Sequence, residues 1–285
     1  MSLVKNKKGT YLIGYVPFLF FINKQTNDFH PILSVSGRIL NFLSFYIFLF
    51  CQCLLIIFFM AKLKSSELAR LIDISAVRAE STLAEVNQII ESAKAYNFIC
   101  VFSMPSMLPY VFAGLKGTDS VGVGGIVGFP SGGDTTECKV WQAIDLKNKG
   151  CREIDMVMNI GKLKSGLYDD VLHDIRCVKE AVRPLPLKVI IEVPLLNDDE
   201  IIKAASIVLE SGADFVKTGT GWAGATDMHH VKLIKHAVGE RIKLKVAGGV
   251  RSLEVLEAMY EAGVARFGIG YKSALNIMKE CISRE

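Results

Sequence analysis

Residues 187–221 have the sequence LKVIIEVPLLNDDEIIKAASIVLESGADFVKTGTG, which contains one complete strand–helix–strand unit. The apolar run Leu187–Glu192 predicts a buried strand, and Asp214–Lys217 predicts a second one. Asp198 can cap the helix between them, and the Ser211-Gly212 pair can end it. This stretch therefore predicts a βαβ unit whose two strands run parallel.

The same alternation of strands and helices extends from Met60 to the C-terminus. Most of the candidate strands are continuous apolar runs, as expected where helices cover both faces of a parallel sheet. Eight units with no second break in composition predict a single (β/α)8 TIM barrel, with a doubly wound open sheet as the alternative. The eight candidate strands are Leu71–Ser75, Ile99–Ser103, Val121–Val127, Glu153–Met158, Leu187–Glu192, Asp214–Lys217, Lys243–Ala247 and Ala265–Gly268.

The first 59 residues differ sharply in composition from the rest of the chain. They hold ten of the sixteen phenylalanines, and Asp28 is their only acidic residue. The segment Ile39–Ala61 carries no charge and is long enough for a membrane-spanning helix. We expect a hydrophobic extension, residues 1–59, outside a domain formed by residues 60–285. The extension is either upstream sequence before a natural start at Met60 or, alternatively, a membrane segment.

The overall composition excludes several classes of protein. A net charge of +4 over 285 residues is too mild to predict nucleic-acid binding. The seven cysteines form no C-x-x-C pair, which indicates free thiols in a reducing compartment, the cytoplasm, rather than disulfides or a zinc site. No nucleotide-binding G-x-x-x-x-G-K motif occurs. These patterns predict neither a zinc site nor a nucleotide-binding loop.

Three charged residues interrupt otherwise apolar strands, namely Asp155, Lys217 and Lys245. A single charged residue of this kind usually has a structural role. A lysine can extend its ammonium group to the barrel rim, and an aspartate can pair with such a lysine. Together, on the fourth, sixth and seventh strands, they favour chemistry. Burial and the repulsion between two lysines on neighbouring strands should both lower the pKa of Lys217. A neutral lysine can form a Schiff base with a carbonyl compound, and Asp155 could assist proton transfer.

Glycine-rich turns follow the last three strands, at the face where a barrel gathers its binding loops. Backbone N–H groups of such turns can bind a phosphate group, and Arg251 could add positive charge. The expected phosphate-binding residues are Thr220, Gly221, Gly248, Gly249, Arg251, Gly268 and Gly270.

Four longer stretches resemble those of the deoxyribose-phosphate aldolase family. They are GFPSGGDTTECKVWQA, EIDMVMNIGKLKSG, FVKTGTG and KVAGGVRS, and the resemblance extends over roughly residues 66–282. It implies a class I aldolase that reversibly cleaves 2-deoxy-D-ribose 5-phosphate to glyceraldehyde 3-phosphate and acetaldehyde without a cofactor. It also implies that Lys217 forms the Schiff base, that Lys245 lowers its pKa and relays protons, and that Asp155 is the acid–base residue. Asp73 matches an aspartate near the second lysine.

The sequence departs from the family pattern around the expected phosphate site. Gly270 and Tyr271 stand where two serines are usual, and Gly219 also replaces a serine. Trp222 replaces a smaller or basic residue, and Phe102 stands where a cysteine is usual. Val193-Pro194 replaces a Thr-Gly pair.

These departures leave two alternatives to the sugar-phosphate activity. One is the same chemistry on a different, unphosphorylated aldehyde adduct, and the other is a non-catalytic barrel that serves as a scaffold. The expected partner is a small sugar phosphate or aldehyde rather than nucleic acid. Membrane contact is expected only if residues 39–61 belong to the protein, and a homodimer is compatible with the family.

Overall fold

A computed structural model describes residues 63–285 continuously and, before them, only four short strands. These strands are β1 (Ser2–Lys5), β2 (Tyr11–Tyr15), β3 (Phe18–Ile22) and β4 (Phe29–Pro31), which form an antiparallel sheet in chain order. The chain divides into two compact units, residues 1–62 and residues 63–285. The apolar segment 39–61 lies outside the described residues. Among the described helices, none has the length and hydrophobicity needed to cross a membrane.

The second unit is a closed barrel of eight parallel strands, which confirms the predicted fold. Neighbouring strands follow the chain order, and the last strand pairs with the first to close the barrel. All eight predicted strands are present, with ends that shift by no more than two residues. They are β5 (Ile72–Ala76), β6 (Cys100–Ser103), β7 (Gly122–Val127), β8 (Glu153–Val157), β9 (Leu187–Ile190), β10 (Phe215–Lys217), β11 (Lys243–Ala247) and β12 (Arg266–Gly270).

Helices surround this barrel and connect its strands. They are α1 (Ser65–Ala69), α2 (Leu83–Tyr96), α3 (Leu108–Gly114), α4 (Thr136–Asn148), α5 (Ile160–Lys164), α6 (Tyr168–Val182), α7 (Asp198–Glu210), α8 (Met228–Val238), α9 (Leu253–Glu261) and α10 (Tyr271–Ser283). The predicted cap of α7 was wrong by one position. Asn197, not Asp198, accepts the N–H of Glu200, so Asp198 is the first helical residue.

The aliphatic core lies between the strands and the surrounding helices. Side chains such as Ile74, Val189 and Leu244 point away from the barrel axis and are fully buried. Because side chains alternate along a strand, the neighbours of these residues on the same strands point into the barrel. Many of these inward residues are charged, so the barrel interior contains a buried ionic cluster where an aliphatic filling is more usual.

One aromatic side chain fills much of the remaining interior space. The ring of Phe102 on β6 lies over Lys245, with 4.3 Å from Nζ to the ring centroid, and over Lys188 at 5.2 Å. Gly124 on the neighbouring strand makes room for it, because a Cβ at this position would overlap the Phe102 ring. A bulky residue at 102 therefore requires glycine at 124.

We expect Gly124→Ala to lower the free energy of unfolding by about 1–3 kcal/mol, the usual cost of overpacking a filled core. The measurement is urea unfolding, with Gly161→Ala as the control, because a Cβ at Gly161 meets only an ordinary contact at 3.7 Å. Combining Gly124→Ala with Phe102→Val should restore part of the loss. Two additive losses would show that the two side chains do not share this space.

Candidate active site

The register of the barrel brings the three predicted chemical residues together. Lys217 on β10 lies directly opposite Lys245 on β11. Both ammonium groups donate to the same oxygen of Asp155, at 2.8 Å from Lys217 Nζ and 2.7 Å from Lys245 Nζ to Oδ2. Asp155 is wholly inaccessible to solvent, whereas 7% of Lys217 is exposed. The carboxylate therefore lies beneath the two lysines and acts through them.

Asp73, at the start of β5, joins this cluster from the other side of Lys245. Its Oδ2 forms an ion pair with Lys245 Nζ at 2.6 Å, but the angles of this contact do not meet those of a hydrogen bond. Its Oδ1 accepts a hydrogen bond from Arg266 at 2.7 Å. Burial alone would raise the pKa of Asp73, but the charges of Lys245, Lys188 and Arg266 hold it below its ordinary value. Asp73 is thus ionised and fixes the position of Lys245.

The structure adds Lys188 on β9, which the sequence analysis missed. Its Nζ donates to Asp155 Oδ1 at 3.2 Å and lies 2.9 Å from Glu153 Oε2. Burial would lower the pKa of Lys188, but the carboxylates of Asp155, Glu153 and Asp73 raise it above its ordinary value. Lys188 therefore stays charged and holds Asp155 so that its other oxygen faces Lys217 and Lys245. A lysine near the start of an apolar run is equally typical of an exposed residue, which explains the omission.

The cluster contains one more cationic side chain than it has carboxylates. Three carboxylates, Asp73, Glu153 and Asp155, share the interior with the cationic side chains of Lys188, Lys217, Lys245 and Arg266. Loss of one proton would therefore balance the charges. Lys217 borders the open cavity and has a lowered pKa, so it is the group that can lose this proton.

Burial is the largest cause that lowers the pKa of Lys217 from 10.5 to about 8. The negative charge of Asp155 opposes this shift, and the positive charges of Lys245 and Lys188 add to it. Burial and the repulsion from Lys245 were both expected, without a ranking, and the structure puts burial first. At pH 7, about one Lys217 side chain in ten is neutral, which is enough for nucleophilic attack.

Asp155 shows the opposite balance. Burial would raise the pKa of its carboxyl group, but the charges of Lys188, Lys217 and Lys245 hold the pKa far below its usual range. Asp155 is therefore ionised in the unliganded site, where protonated lysines surround it.

A cavity of about 370 Å³ opens above the lysines at the carboxyl ends of the strands. Lys217, Lys245 and the Phe102 ring form part of its floor. Every residue expected to bind phosphate lines it, and so do Arg78, Lys272 and Ser273, which the sequence analysis did not single out. The expected residues that line the cavity are Asp73, Thr220, Gly221, Gly248, Gly249, Arg251, Gly268 and Gly270.

The turn after β11 shows why glycine occupies two of these positions. Gly248 and Gly249 have φ values of +88° and +89°, in the left-handed region that favours glycine. A Cβ would lie 2.9 Å from Gly224 O at the first position and 2.7 Å from the Cβ of Ala225 at the second. The backbone of this turn therefore comes close to its neighbours and can present its N–H groups to a ligand.

Glu192 organises the turn after β10 and was also missed by the sequence analysis. This buried residue has a left-handed backbone, with φ +57°, and its carboxylate accepts the N–H of Thr220 at 3.1 Å. Burial raises the pKa of Glu192, although the bonds from Thr220 oppose the shift. A Cβ at Gly219 would lie 3.1 Å from Glu192 Oε1, so the glycine leaves room for this carboxylate.

One group of side chains has the composition of a metal site. Potential ligand atoms of Asp73, Cys100 and Glu153 all lie within 4.8 Å of one another. Arg266 already binds both carboxylates, and Lys188 contacts Glu153. Burial also raises the pKa of the Cys100 thiol well above its ordinary value, so it is not a thiolate. These residues fit an internal ion-pair network better than a metal ion.

Comparison with known proteins shows the family of this chain. A family model described as DeoC/LacD family aldolase matches residues 65–280. The chain belongs to this family. It is 44% identical to a deoxyribose-phosphate aldolase of Rhizobium meliloti (strain 1021) over 78% of this chain and 90% of that protein. The family chemistry is the cleavage of carbon–carbon bonds, which makes this protein a lyase.

Solved structures give the same result. An aldolase called QR15 is 33% identical, with a TM-score of 0.71 over 76% of this chain and 96% of the other. A deoxyribose phosphate aldolase from Aeropyrum pernix, described as a tetramer, is 26% identical, with a TM-score of 0.68 over 79% of this chain and 95% of that one.

The lowered pKa of Lys217 predicts that this aldolase becomes more stable when the lysine is replaced by methionine. Below pH 8 the protonated lysine destabilises the folded state, and a shift from 10.5 to about 8 corresponds to about 3 kcal/mol. The penalty fades as the pH rises from 8 towards 10.5, where the unfolded chain also loses the proton. We expect Lys217→Met to raise the free energy of unfolding at pH 7 by about 1–3 kcal/mol, and by less at pH 10, in urea titrations.

The matched control is Lys188→Met, because Lys188 is another buried lysine of the same cluster, on the neighbouring strand. Its raised pKa means that its charge stabilises the fold, so this variant should lose about 3–5 kcal/mol. Equal losses in both variants at pH 7 would contradict the assigned difference in pKa.

Proposed function

We propose that this aldolase reversibly cleaves 2-deoxy-D-ribose 5-phosphate to D-glyceraldehyde 3-phosphate and acetaldehyde through a Schiff base on Lys217. The observation that carries the proposal is the position of Lys217, which borders the cavity with a pKa of about 8. Its Nζ bonds the buried Asp155, which also binds Lys245. The name of the Rhizobium meliloti relative supports the choice of substrate.

Catalysis begins when neutral Lys217 attacks the carbonyl carbon of the open-chain sugar. Loss of water from the resulting carbinolamine gives a protonated imine, which withdraws electrons from the neighbouring carbon–carbon bond. The positive imine then takes the place of the Lys217 ammonium group above Asp155, whose negative charge stabilises it.

Bond cleavage follows when a base removes the proton of the C3 hydroxyl group. The C2–C3 bond breaks, glyceraldehyde 3-phosphate leaves, and an enamine of acetaldehyde remains on Lys217. Proton return to this enamine passes through Lys245, which borders the cavity, and Asp155 beneath it, with water as the mobile carrier. Hydrolysis of the imine then releases acetaldehyde and regenerates the amine.

The phosphate group would bind at the rim of the cavity. The turns that contain Gly221 and Gly248-Gly249 provide backbone N–H groups there, and Arg251 adds positive charge. Helix α10 begins beside them at Tyr271, directly after its N-cap Gly270, and no side chain caps its first N–H groups. Backbone groups can thus replace the hydroxyl groups of the two missing serines.

Replacing Lys217 by Leu should abolish the covalent adduct that borohydride traps with acetaldehyde or with deoxyribose 5-phosphate. The measurement is intact mass followed by peptide mapping. Lys232→Leu, which removes an exposed lysine of α8, is the control and should leave the adduct unchanged. An adduct that persists in Lys217→Leu would identify another lysine as the nucleophile.

The same chemistry on an unphosphorylated adduct is the second candidate. It is motivated by Gly270 and Tyr271 at the start of α10 and by Trp222 beside the Gly221 turn. The two candidates differ in how strongly the enzyme discriminates between sugars.

We expect kcat/KM to be at least about 100-fold higher for deoxyribose 5-phosphate than for deoxyribose, since a bound dianion gains several charge-assisted hydrogen bonds. Steady-state cleavage of both sugars, coupled to detection of acetaldehyde, measures this ratio. Equal values for the two sugars would favour the unphosphorylated substrate.

Three broader features belong to the same proposal. Residues 60–285 would form the catalytic domain, in the cytoplasm, where the exposed Cys138 and partly exposed Cys177 would stay reduced. A homo-oligomer is supported by the tetramer described for the Aeropyrum pernix protein.

A further inference from the structure

Arg78 occupies the mouth of the cavity, directly after strand β5. It lines the cavity together with Arg251 and Lys272. Its side chain is 52% exposed, and its guanidinium carbon lies 4.8 Å from the centroid of the Trp222 ring. This distance is typical of a cation–π contact, in which the flat guanidinium group rests on an aromatic face.

Trp222 is itself held firmly in place. Its ring N–H donates to the carbonyl of Val77 at 3.0 Å, and its backbone N–H donates to Thr220 Oγ1 at 3.0 Å. The ring of Phe129 packs edge-on against it, with the centroids 6.0 Å apart. The indole therefore connects the loop after β5 to the turn after β10 and provides a fixed surface for Arg78.

The polar partners of Arg78 are weak. Its Nε lies 3.5 Å from Glu80 Oε1, and both side chains of this pair are exposed to solvent. Its Nη1 reaches the carbonyl of Gly221 at 3.5 Å, the limit of a hydrogen bond. Among the side chains of residues 63–285, no closer acceptor engages this guanidinium group. It is held by an aromatic surface while most of its five donors stay available.

We propose that Arg78 binds the phosphate group of the substrate and that Trp222 is the positioning residue that holds it there. This assignment rests on the proposed function. The contact with Gly221 places the guanidinium group beside the turn whose backbone would bind the same phosphate. A guanidinium group can donate two parallel hydrogen bonds to a phosphate.

The consequence is selectivity for a phosphorylated substrate. Because Trp222 fixes Arg78 before substrate arrives, less conformational entropy is lost on binding than with a free surface arginine. Arg78 is half exposed at the mouth of the cavity, whereas Lys217 is buried at its floor, so Arg78 should affect binding more than the chemical steps.

The test compares Arg78→Ala and Arg78→Lys with the wild type in two measurements. Calorimetric titration with inorganic phosphate measures binding without catalysis. Steady-state cleavage of deoxyribose 5-phosphate and of deoxyribose measures selectivity. Arg176→Ala is the matched control, because Arg176 is an equally exposed arginine, at 52%, that pairs with a glutamate outside the cavity.

We expect Arg78→Ala to raise the Kd for inorganic phosphate and the KM for deoxyribose 5-phosphate by about tenfold or more, the scale of one lost charge-assisted contact. Its kcat should change less than about threefold, and its KM for deoxyribose should stay unchanged. Arg78→Lys should fall between, because lysine keeps the charge but not the paired donors. Trp222→Ala should raise the Kd for inorganic phosphate and the KM for deoxyribose 5-phosphate about fivefold. Trp222→Phe keeps an aromatic face and should raise both by less.

Two results would overturn the assignment. One is an equal rise in KM for both sugars in Arg78→Ala. The other is a Kd for inorganic phosphate that does not change in Arg78→Ala, or a wild type that binds no inorganic phosphate. A wild-type enzyme that binds phosphate through Arg78 but cleaves neither sugar would instead refute the proposed substrate and leave the assignment of Arg78 intact.

Discussion

The carboxylate of Asp155 is the interaction on which the rest of this site depends. It lies inside a closed barrel and accepts hydrogen bonds from lysines on three consecutive strands, at Lys188, Lys217 and Lys245. Three ammonium groups so close together would repel one another strongly in a medium that water does not reach. The carboxylate of Asp155, which lies between the three ammonium groups, offsets this repulsion. The closed sheet fixes the position of this carboxylate inside the barrel. The strand register and the ionic cluster thus support each other.

The cluster is balanced so that one of its members can change its charge. Lys188 and Lys245 each contact two or more carboxylates, whereas Lys217 contacts only Asp155 among the described residues. Lys217 also forms part of the cavity floor, where the charge of Asp155 opposes the effect of burial on its pKa only in part. The barrel therefore surrounds Lys188 and Lys245 with several carboxylates and leaves Lys217 able to act as a nucleophile. Stability and reactivity are distributed among three chemically identical side chains by their neighbours alone.

The sequence predicts the barrel well because each strand is a short apolar run between helices with clear ends. The strand at 243–247 has the predicted bounds, and the others shift by one or two residues. Lys217, Lys245 and Asp155 are predictable because charges are unusual inside such runs. Lys188 and Glu192 are not, since a charge at either end of a strand is equally typical of the surface. The order of the causes that lower the pKa of Lys217 needed the three-dimensional burial, which no spacing of residues along the chain reports.

The packing of Phe102 against Gly124 also limits how these two positions can change during evolution. In the family pattern a cysteine is usual at the first position, and its side chain fills far less of the barrel than a phenyl ring. Because the ring fills the space that a methyl group at 124 would need, these two sites cannot have diverged independently. An ancestor with a side chain at 124 had to lose it before, or together with, the arrival of the phenyl ring. Volume therefore constrains the order in which these two positions can change.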